Sequence, residues 1–203
     1  SVIFGNLAKI STDGIPNILF YMTGITFWNY FADCVNKTSN TFTLNQGLFG
    51  KVYFPRMTVP ISSLIINLIK LIIQSFIFLF FYFYYLFLGY SFNISIYIIF
   101  LPLLIIQLCM LSLGLGLLIS SLTTKYRDFQ FLVVFGVQLF MYATPVVYPL
   151  SLANEKLGSY SWLALANPMS SIVESMKYAF LGQGQFSWFH LGYSFIFMLI
   201  LLT

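Results

Sequence analysis

Long apolar runs decide what this chain can fold into, because four of them have the length of a helix that crosses a bilayer. They lie at about 18–36, 61–88, 96–121 and 129–149. A helix rises about 1.5 Å per residue, so about 20 residues cross the hydrocarbon core of a membrane. Only 7% of the residues are charged, whereas about a quarter are charged in a soluble domain. The sequence therefore predicts an all-α integral membrane protein.

Two shorter apolar segments stand at the ends of the sequence. Residues 1–10 look like the tail of a further span, and residues 188–203 look like the start of another. We therefore expect a single transmembrane domain over residues 1–203, drawn from a six-span helical bundle whose first and last spans are incomplete here.

Lysine and arginine residues collect in two of the gaps between the apolar runs, at 37–57 and 122–128. They are Lys37, Lys51, Arg56, Lys125 and Arg127, accompanied in the second gap by Asp128. The intervening gap at 90–95 carries no charge, and two spans separate the basic gaps, so both face the same side. Because positive residues mark cytoplasmic loops, we place both gaps in the cytoplasm. The segments 11–17 and 150–187 are then external.

The first basic gap contains a candidate amphipathic helix within 38–50. Its apolar positions recur at helical spacing and are Leu44, Leu48 and Phe49. Gly50 is suited to end this helix. A helix of this kind either docks onto a soluble partner or lies on the lipid surface, and the sequence leaves both alternatives open.

Polar residues inside the predicted span at 61–88 share one helical face. They are Ser63, Asn67, Lys70 and Gln74, separated by four, three and four residues. Since polar groups are costly against lipid, this face should contact other helices or water. One interpretation is a conduit wall or a contact for an anionic pyrophosphate. The alternative is that Lys70 extends to the cytoplasmic headgroups while the amides bond neighbouring helices.

Two further patterns concern contacts within and between the spans. We expect Asp33 to pair with Lys37, four residues later on the same helix, with a pair between Asp33 and Lys70 as the alternative. Small residues repeat every four positions in the span at 96–121 and predict a face for close helix packing. These residues are Ser112, Gly116 and Ser120.

The external segment 150–187 contains a predicted short helix. Asn167 is suited to cap it, Pro168 to occupy its first turn, and Gly182 to end it. About 14 residues reach roughly 21 Å, so the helix should dip into the membrane and return, or lie in the outer interface. Its polar positions are Ser170, Ser171, Glu174, Ser175 and Lys177. Pro145 should kink the preceding span near its external end.

The sequence lacks the signatures of several other functions, and we predict no catalytic, cofactor or metal site. There is no G-x-x-x-x-G-K-[ST] loop, so an ATP-driven process would need an ATPase on another polypeptide. The basic residues form no stripe or arm of the kind that binds nucleic acid. Cys34 and Cys109 match no metal-ligand spacing, and the single histidine, His190, makes a membrane-embedded glycan enzyme a distant alternative. An ion-coupled transporter would show inverted repeats and several buried acids.

Four blocks occur in order along the chain, between and beside the predicted spans. They are GKVYFPRMTVPISSLI, SSLTTKYRDFQF, FMYATPVVYPLS and LANPMSSIVESMKYAFLGQG. With these blocks the chain resembles the permease subunit of type-2 ABC exporters. It is most similar to the permeases that export lipid-linked polysaccharide, such as O-antigen.

The resemblance implies a homodimer that works with two copies of a cytoplasmic ABC ATPase. ATP and Mg²⁺ would be bound by that ATPase, and this chain would hold no cofactor. A coupling helix would lie within 38–50, with Lys51 and Arg56 at its exit, and the loop 122–128 would face the same partner. Arg127 and Asp128 would then either contact the ATPase or brace their own helices.

The resemblance also implies a cargo and a location. The cargo would be an undecaprenyl-pyrophosphate-linked polysaccharide, carried across the bacterial cytoplasmic (inner) membrane; teichoic acid, capsule and a drug-like molecule are the alternatives. Short gate helices would stand at the external mouth of the conduit. The candidate residues there are Pro145, Asn167, Pro168, Glu174 and Lys177.

Overall fold

The computed structural model describes residues 15–49, 55–90, 95–126, 128–151, 162–182, 184 and 186–202. Within these ranges the regular structure is helical and contains no strand, which confirms the predicted all-α class. The helices delimited there are α1 (Asn17–Ser39), α2 (Thr41–Leu44), α3 (Gln46–Phe49), α4 (Thr58–Phe87), a 3₁₀ turn (Ile96–Phe100) leading into α5 (Leu101–Lys125), α6 (Phe129–Ala143), α7 (Trp162–Ala166), α8 (Pro168–Leu181) and α9 (Trp188–Leu202). The predicted span tail at 1–10 lies outside the described residues.

Two helical stretches in the described ranges are long and apolar enough to cross a membrane. They are α4 and the continuous stretch Ile96–Lys125, with 30 residues each. Thirty residues reach about 45 Å, which exceeds the roughly 30 Å of a hydrocarbon core. The helices α6 and α9 are also apolar but have 15 residues each. The 23-residue helix α1 lies where the sequence predicted a span at 18–36.

Pro145 ends α6 instead of kinking it. The helix stops at Ala143, and Thr144 adopts an extended conformation with φ −99° and ψ 140°. The residue before a proline avoids the helical region, because the proline ring collides with its backbone. The predicted kink inside a longer helix is therefore wrong, and the chain turns at residues 144–148.

Helix α1 forms the centre of the bundle and packs against α4, α5, α6 and α8. Its contact with α5 is close, because a Cβ atom added at Gly116 would lie 2.5 Å from Thr38 Cβ. Ser112 and Ser120 are fully buried on the same face of α5. The predicted small-residue packing face is therefore confirmed.

The opposite side of α4 is an apolar surface. Large side chains that are more than half exposed there include Ile66, Ile69, Ile73, Phe76 and Phe80. A soluble chain rarely exposes such a continuous apolar patch. The surface is therefore of the kind that contacts lipid acyl chains.

The loop after α1 differs from the single helix expected within 38–50. Helix α1 continues to Ser39, and two four-residue helices follow, α2 and α3, with Asn45 between them. The Asn45 side chain donates a hydrogen bond to the Thr41 carbonyl oxygen at 2.8 Å. Asparagine competes in this way with the backbone bonds of a continuous helix, which explains the interruption. Gly50 lies outside the described residues.

Candidate functional site

A polar seam joins α1 to α4, and we define it by Asp33, Lys37, Asn67 and Lys70. Asn67 is buried at its centre. The Lys37 ammonium donates a hydrogen bond to Asn67 Oδ1 at 2.8 Å, and Asn67 Nδ2 donates one to Cys34 Sγ at 3.3 Å. Both ends of the amide are therefore satisfied by α1, as a buried polar group in a helical bundle requires.

Lys70 forms an ion pair with Asp33 across the same seam. The expected pair between Asp33 and Lys37 is wrong, because Lys37 turns to Asn67 instead. A lysine on an otherwise apolar helix needs a counter-charge nearby, whereas a pair within one helix contributes only about 0.2–0.5 kcal/mol. Two lysines and one aspartate leave the seam with a formal charge of 2 − 1 = +1.

An open groove of about 450 Å³ follows the boundary between α1 and α4, one helical turn beyond the ion pair. Its wall is mainly apolar but includes polar groups of Tyr21, Thr26, Asn29 and Gln74. The structure thus brings Asn67, Lys70 and Gln74 of the predicted polar stripe against α1. The remaining member, Ser63, is half-buried on α4.

A second polar cluster surrounds Lys177, whose side chain is only 1% exposed. Its ammonium donates to the carbonyl oxygens of Pro145 and Tyr148 and lies 3.4 Å from Glu174 Oε1. It also stands 4.0 Å from the centre of the Phe20 ring, a cation–π distance. Lys177 thereby satisfies two carbonyl groups of the turn that follows α6. Of the predicted polar positions of α8, Ser170, Glu174, Ser175 and Lys177 are buried and Ser171 is half-buried.

The N-terminus of α8 is fixed to two neighbouring helices. Asn167 Oδ1 accepts a hydrogen bond from the Met169 amide at 2.9 Å, so the predicted cap is confirmed. Asn167 Nδ2 donates to Thr144 Oγ1 at 2.8 Å, and Ser194 Oγ on α9 donates to the Pro168 carbonyl at 2.8 Å. At the other end, Gly182 adopts the left-handed conformation with φ 68° and ends the helix as predicted.

These contacts place the external gate candidates of the sequence in one region of the structure. Pro145, Glu174 and Lys177 are in direct contact. Asn167 bonds to Thr144, the residue next to Pro145, and Pro168 follows Asn167 at the start of α8. The residues after α6 are therefore joined to α8 at two places. Asn167 makes the connection at the start of α8, and Lys177 makes it further along the helix.

The two basic segments meet at the opposite end of α1. Thr123 Oγ1 near the end of α5 donates a hydrogen bond to the Ser39 carbonyl, and α2 packs against α5. Leu44 is 77% exposed there. The charged residues of these segments with described side chains are exposed, namely Lys37, Arg56, Lys125 and Asp128. Lys51 and Arg127 lie outside the described residues, and the side chains of Leu48 and Phe49 are not described, although their backbone belongs to α3.

Comparison with protein families shows to which family this chain belongs. Residues 1–181 match the family described as ABC-2 type transporter. The chain belongs to this family. As an ABC-2 chain with apolar helices of membrane-crossing length, it is an integral membrane protein. The resemblance of its four sequence blocks to type-2 ABC permeases is therefore confirmed.

Curated relatives of this ABC-2 chain are O-antigen export system permease proteins named RfbA. Two from Klebsiella pneumoniae are 27% and 26% identical over 173 residues, which cover 82% of this chain and 62% of each relative. One from Myxococcus xanthus is 27% identical over 172 residues, covering 84% of this chain and 64% of the relative. The ABC-2 chain therefore spans less than two thirds of the length of these relatives.

Sequence reasoning missed Tyr30, which joins three helices of the ABC-2 chain. Its hydroxyl oxygen lies 2.9 Å from Cys109 Sγ on α5 and 3.4 Å from the Leu64 carbonyl oxygen on α4. A tyrosine in the middle of an apolar helix needs a partner for its hydroxyl group. Its position one turn before Cys34 was the available signal, since the two residues share a face.

Replacing Lys37 with methionine should destabilise the ABC-2 fold by about 1–3 kcal/mol, because the buried Asn67 Oδ1 loses its donor. Thermal unfolding of the purified protein in detergent would measure this change. Lys125→Met is the matched control, since Lys125 is an exposed lysine in the last turn of α5, and it should change stability by less than about 0.5 kcal/mol. Equal losses of stability in Lys37→Met and Lys125→Met would contradict the hydrogen bond from Lys37 to Asn67.

Proposed function

We propose that this chain is the membrane-spanning subunit of an ATP-driven ABC exporter. Its cargo is an undecaprenyl-pyrophosphate-linked polysaccharide of the O-antigen kind, carried outward across the bacterial cytoplasmic membrane. The observation that carries this proposal is the similarity to three O-antigen export permeases over 82–84% of the chain. The whole exporter contains two copies of a six-span subunit and two copies of a cytoplasmic ATPase, which bind ATP and Mg²⁺.

The end of the bundle where α1 and α5 meet is the proposed contact with the ATPase. Leu44 supports this assignment, because a leucine that is 77% exposed at the end of the short helix α2 is suited to a groove on a partner. The exposed charges of Arg56, Lys125 and Asp128 surround the same end. Movement of the ATPase would reach α1 through α2, which follows it directly.

The polar seam and its groove are the proposed contact with the cargo inside the membrane. The seam has a formal charge of +1, which favours an anionic group such as pyrophosphate over a cation. The groove beyond it combines apolar walls with the amides of Asn29 and Gln74. A ligand-binding cleft typically has this composition, in which few polar groups fix the orientation of the ligand. At the other end, α8 and its Lys177 cluster form the proposed outer gate.

Deletion of the gene tests the function. We expect undecaprenyl-linked glycan to accumulate on the cytoplasmic side and the surface polysaccharide to disappear, with both effects reversed by the intact gene. Unchanged surface polysaccharide in the deletion strain would overturn the proposal. Loss of teichoic acid, of capsule or of resistance to a drug would instead identify one of the other cargoes.

Leu44→Arg should abolish copurification of the protein with its ATPase while leaving the amount of protein in the membrane unchanged. The reason is that a charge replaces an exposed apolar contact without disturbing the packed core. Gly47→Ala is the matched control in the same loop, because an added Cβ atom has nothing within 4 Å. Retention of the ATPase by Leu44→Arg would show that the contact lies elsewhere.

A further inference from the structure

An apolar cleft opens between α5 and α6, with α1 as its floor. Its volume is about 360 Å³. Phe31 and Val35 of α1 form the floor and are each 1% exposed, whereas Leu115 and Ile119 line the wall on α5. Among the described residues that line the cleft, none carries a polar side chain. Its occupant should therefore be hydrocarbon.

The two ends of the cleft differ. At one end, the rings of Trp28 and Phe31 on α1 pack on the ring of Phe140 on α6, with ring centres 5.8 and 6.2 Å apart. At the other end, Leu122 and Phe129 line the cleft on either side of the turn from α5 to α6. The cleft therefore runs from a group of aromatic rings inside the bundle to that turn.

The cleft is too narrow to admit a further helix. Phe129 and Phe140, which line its two ends, lie about 16 Å apart along α6 at about 1.5 Å per residue. A volume of about 360 Å³ over this length gives a mean cross-section of roughly a few tens of Å². An α-helix with its side chains is about 10–12 Å across and needs about 80–110 Å². One extended hydrocarbon chain fits such a cleft.

Gly136 supports an occupant that comes close to the backbone of α6. It lies in the interior of this helix, where glycine is less favourable than alanine. An added Cβ atom would have nothing within 4 Å, so packing against the chain itself does not explain the glycine. A glycine permits close approach of a ligand to the backbone. Gly136 lines the cleft between its two ends, where such a ligand would lie.

The charge at the turn from α5 to α6 favours an anionic headgroup. Lys125 is exposed in the last turn of α5, three residues after Leu122 at the end of the cleft. The sequence adds Arg127 and Asp128, so the turn has a formal charge of 2 − 1 = +1. A lipid with one chain in the cleft would place its headgroup here, on the side assigned to the cytoplasm. Basic residues beside a membrane span attract anionic headgroups.

We propose that the cleft binds one acyl chain of an anionic phospholipid, whose headgroup lies beside Lys125. The apolar lining and the narrow shape select a single hydrocarbon chain, and the charge of the turn selects a negative headgroup. The bound chain fills the space that α5 and α6 leave open above α1. This inference depends neither on the cargo nor on the ATPase, because it uses only the location of an ABC-2 chain in a membrane.

Quenching of Trp28 fluorescence by a brominated lipid tests the site. Trp28 is 3% exposed and packs on Phe140, so a chain that enters the cleft brings its bromine atoms close to this ring. The probe is phosphatidylglycerol brominated in the middle of its chains, as a small fraction of phosphatidylcholine vesicles. They contain the full-length protein with Trp162→Phe and Trp188→Phe, so that Trp28 alone reports. We expect Trp28 to be quenched.

Variants that fill the cleft should lose most of this quenching. Gly136→Leu fills it from α6, and Ile119→Phe fills it from α5. Gly192→Leu is the matched control, because Gly192 also lies inside an apolar helix with nothing within 4 Å of an added Cβ atom. It belongs to α9, away from the cleft, and should leave the quenching unchanged. Thermal unfolding in detergent checks that each variant is folded.

The headgroup preference is measured by comparing brominated phosphatidylglycerol with brominated phosphatidylcholine. The wild type should bind the anionic lipid more tightly, and Lys125→Gln should lower this preference about fivefold, as expected for one lysine near an anionic headgroup. Arg56→Gln is the matched control, because Arg56 is an exposed cation two residues before α4 and does not line the cleft. It should leave the preference unchanged.

Three results would overturn the proposal. Equal quenching in the wild type and Gly136→Leu would show that the cleft is empty or covered by protein. Quenching that undecaprenyl phosphate relieves, but excess unbrominated phosphatidylglycerol does not, would make the cargo lipid the occupant. Equal binding of the two brominated lipids by the wild type would show that the site does not select an anionic headgroup.

Discussion

Replacing Lys177 with methionine should destabilise the fold by about 3–5 kcal/mol, the range measured when one partner of a buried ion pair is removed. The substitution leaves the buried Glu174 carboxylate without the ammonium group that lies 3.4 Å away. It also removes the donor to the Pro145 and Tyr148 carbonyl oxygens and the cation above the Phe20 ring. Thermal unfolding in detergent, followed by tryptophan fluorescence, would measure the loss.

A paired substitution distinguishes the buried charge from lost packing. Lys177→Met combined with Glu174→Gln should recover part of the stability, because neutral groups in place of a whole buried pair cost less than a pair that is broken. Lys125→Met, at an exposed lysine, serves as the control with little effect. A Lys177→Met protein as stable as Lys125→Met would mean that Lys177 does not occupy this cluster in the folded protein.

The contacts of Lys177 restrict how an outer gate could move. This side chain joins α8 to the turn at residues 144–148 and to the start of α1 through Phe20. Sliding α8 past that turn would expose or separate a buried charge pair, which is energetically costly. A gate at this end would therefore carry α8 and the turn together.

Local signals in the sequence were sufficient where a few neighbouring residues decide the structure. Asn167 and Gly182 mark the ends of α8, because a cap and a left-handed glycine act within one turn of the helix. The small residues of α5 predicted close packing for a similar reason, since side-chain size alone permits it. Apolar length was likewise sufficient to place the long helices.

Partner choice between helices could not be read from the sequence. Spacing put Lys37 one turn from Asp33, whereas a pair of Asp33 with Lys70 on another helix was only an alternative. The packing of α1 on α4 decides that Lys70 takes the carboxylate and Lys37 the amide of Asn67. The burial of Lys177 depends in the same way on carbonyl groups 29 and 32 residues earlier. Such long-range partners form the polar seam and the Lys177 cluster, the two places proposed to contact the cargo and to gate its exit.

Substitution of Gly116 by alanine should destabilise the fold by about 1–3 kcal/mol, the usual cost of overpacking a well-packed contact. The added Cβ atom would lie 2.5 Å from Thr38 Cβ and 2.8 Å from its Cγ2 atom, closer than carbon atoms approach. Since Thr38 belongs to α1 and Gly116 to α5, the two helices would have to separate. Thermal unfolding in detergent would show a lower midpoint.

Gly136→Ala provides a control of opposite sign in the same protein. Gly136 lies inside α6, and an added Cβ atom there has nothing within 4 Å. Alanine in a helix interior is favoured over glycine by about 0.5–1 kcal/mol, so this variant should be slightly more stable than the wild type. If both glycine substitutions shifted stability in the same direction, the close contact of α1 with α5 would be contradicted.

The consequence of Gly116→Ala should reach the end of the bundle where the ATPase is proposed to bind. Thr38, which meets Gly116, stands next to Ser39, whose carbonyl oxygen accepts the hydrogen bond from Thr123. Separation of the helices at Gly116 would therefore weaken the contact that positions α2. In a double-mutant cycle, Thr38→Gly and Gly116→Ala should be less harmful together than the sum of the single changes, because the first makes room for the second.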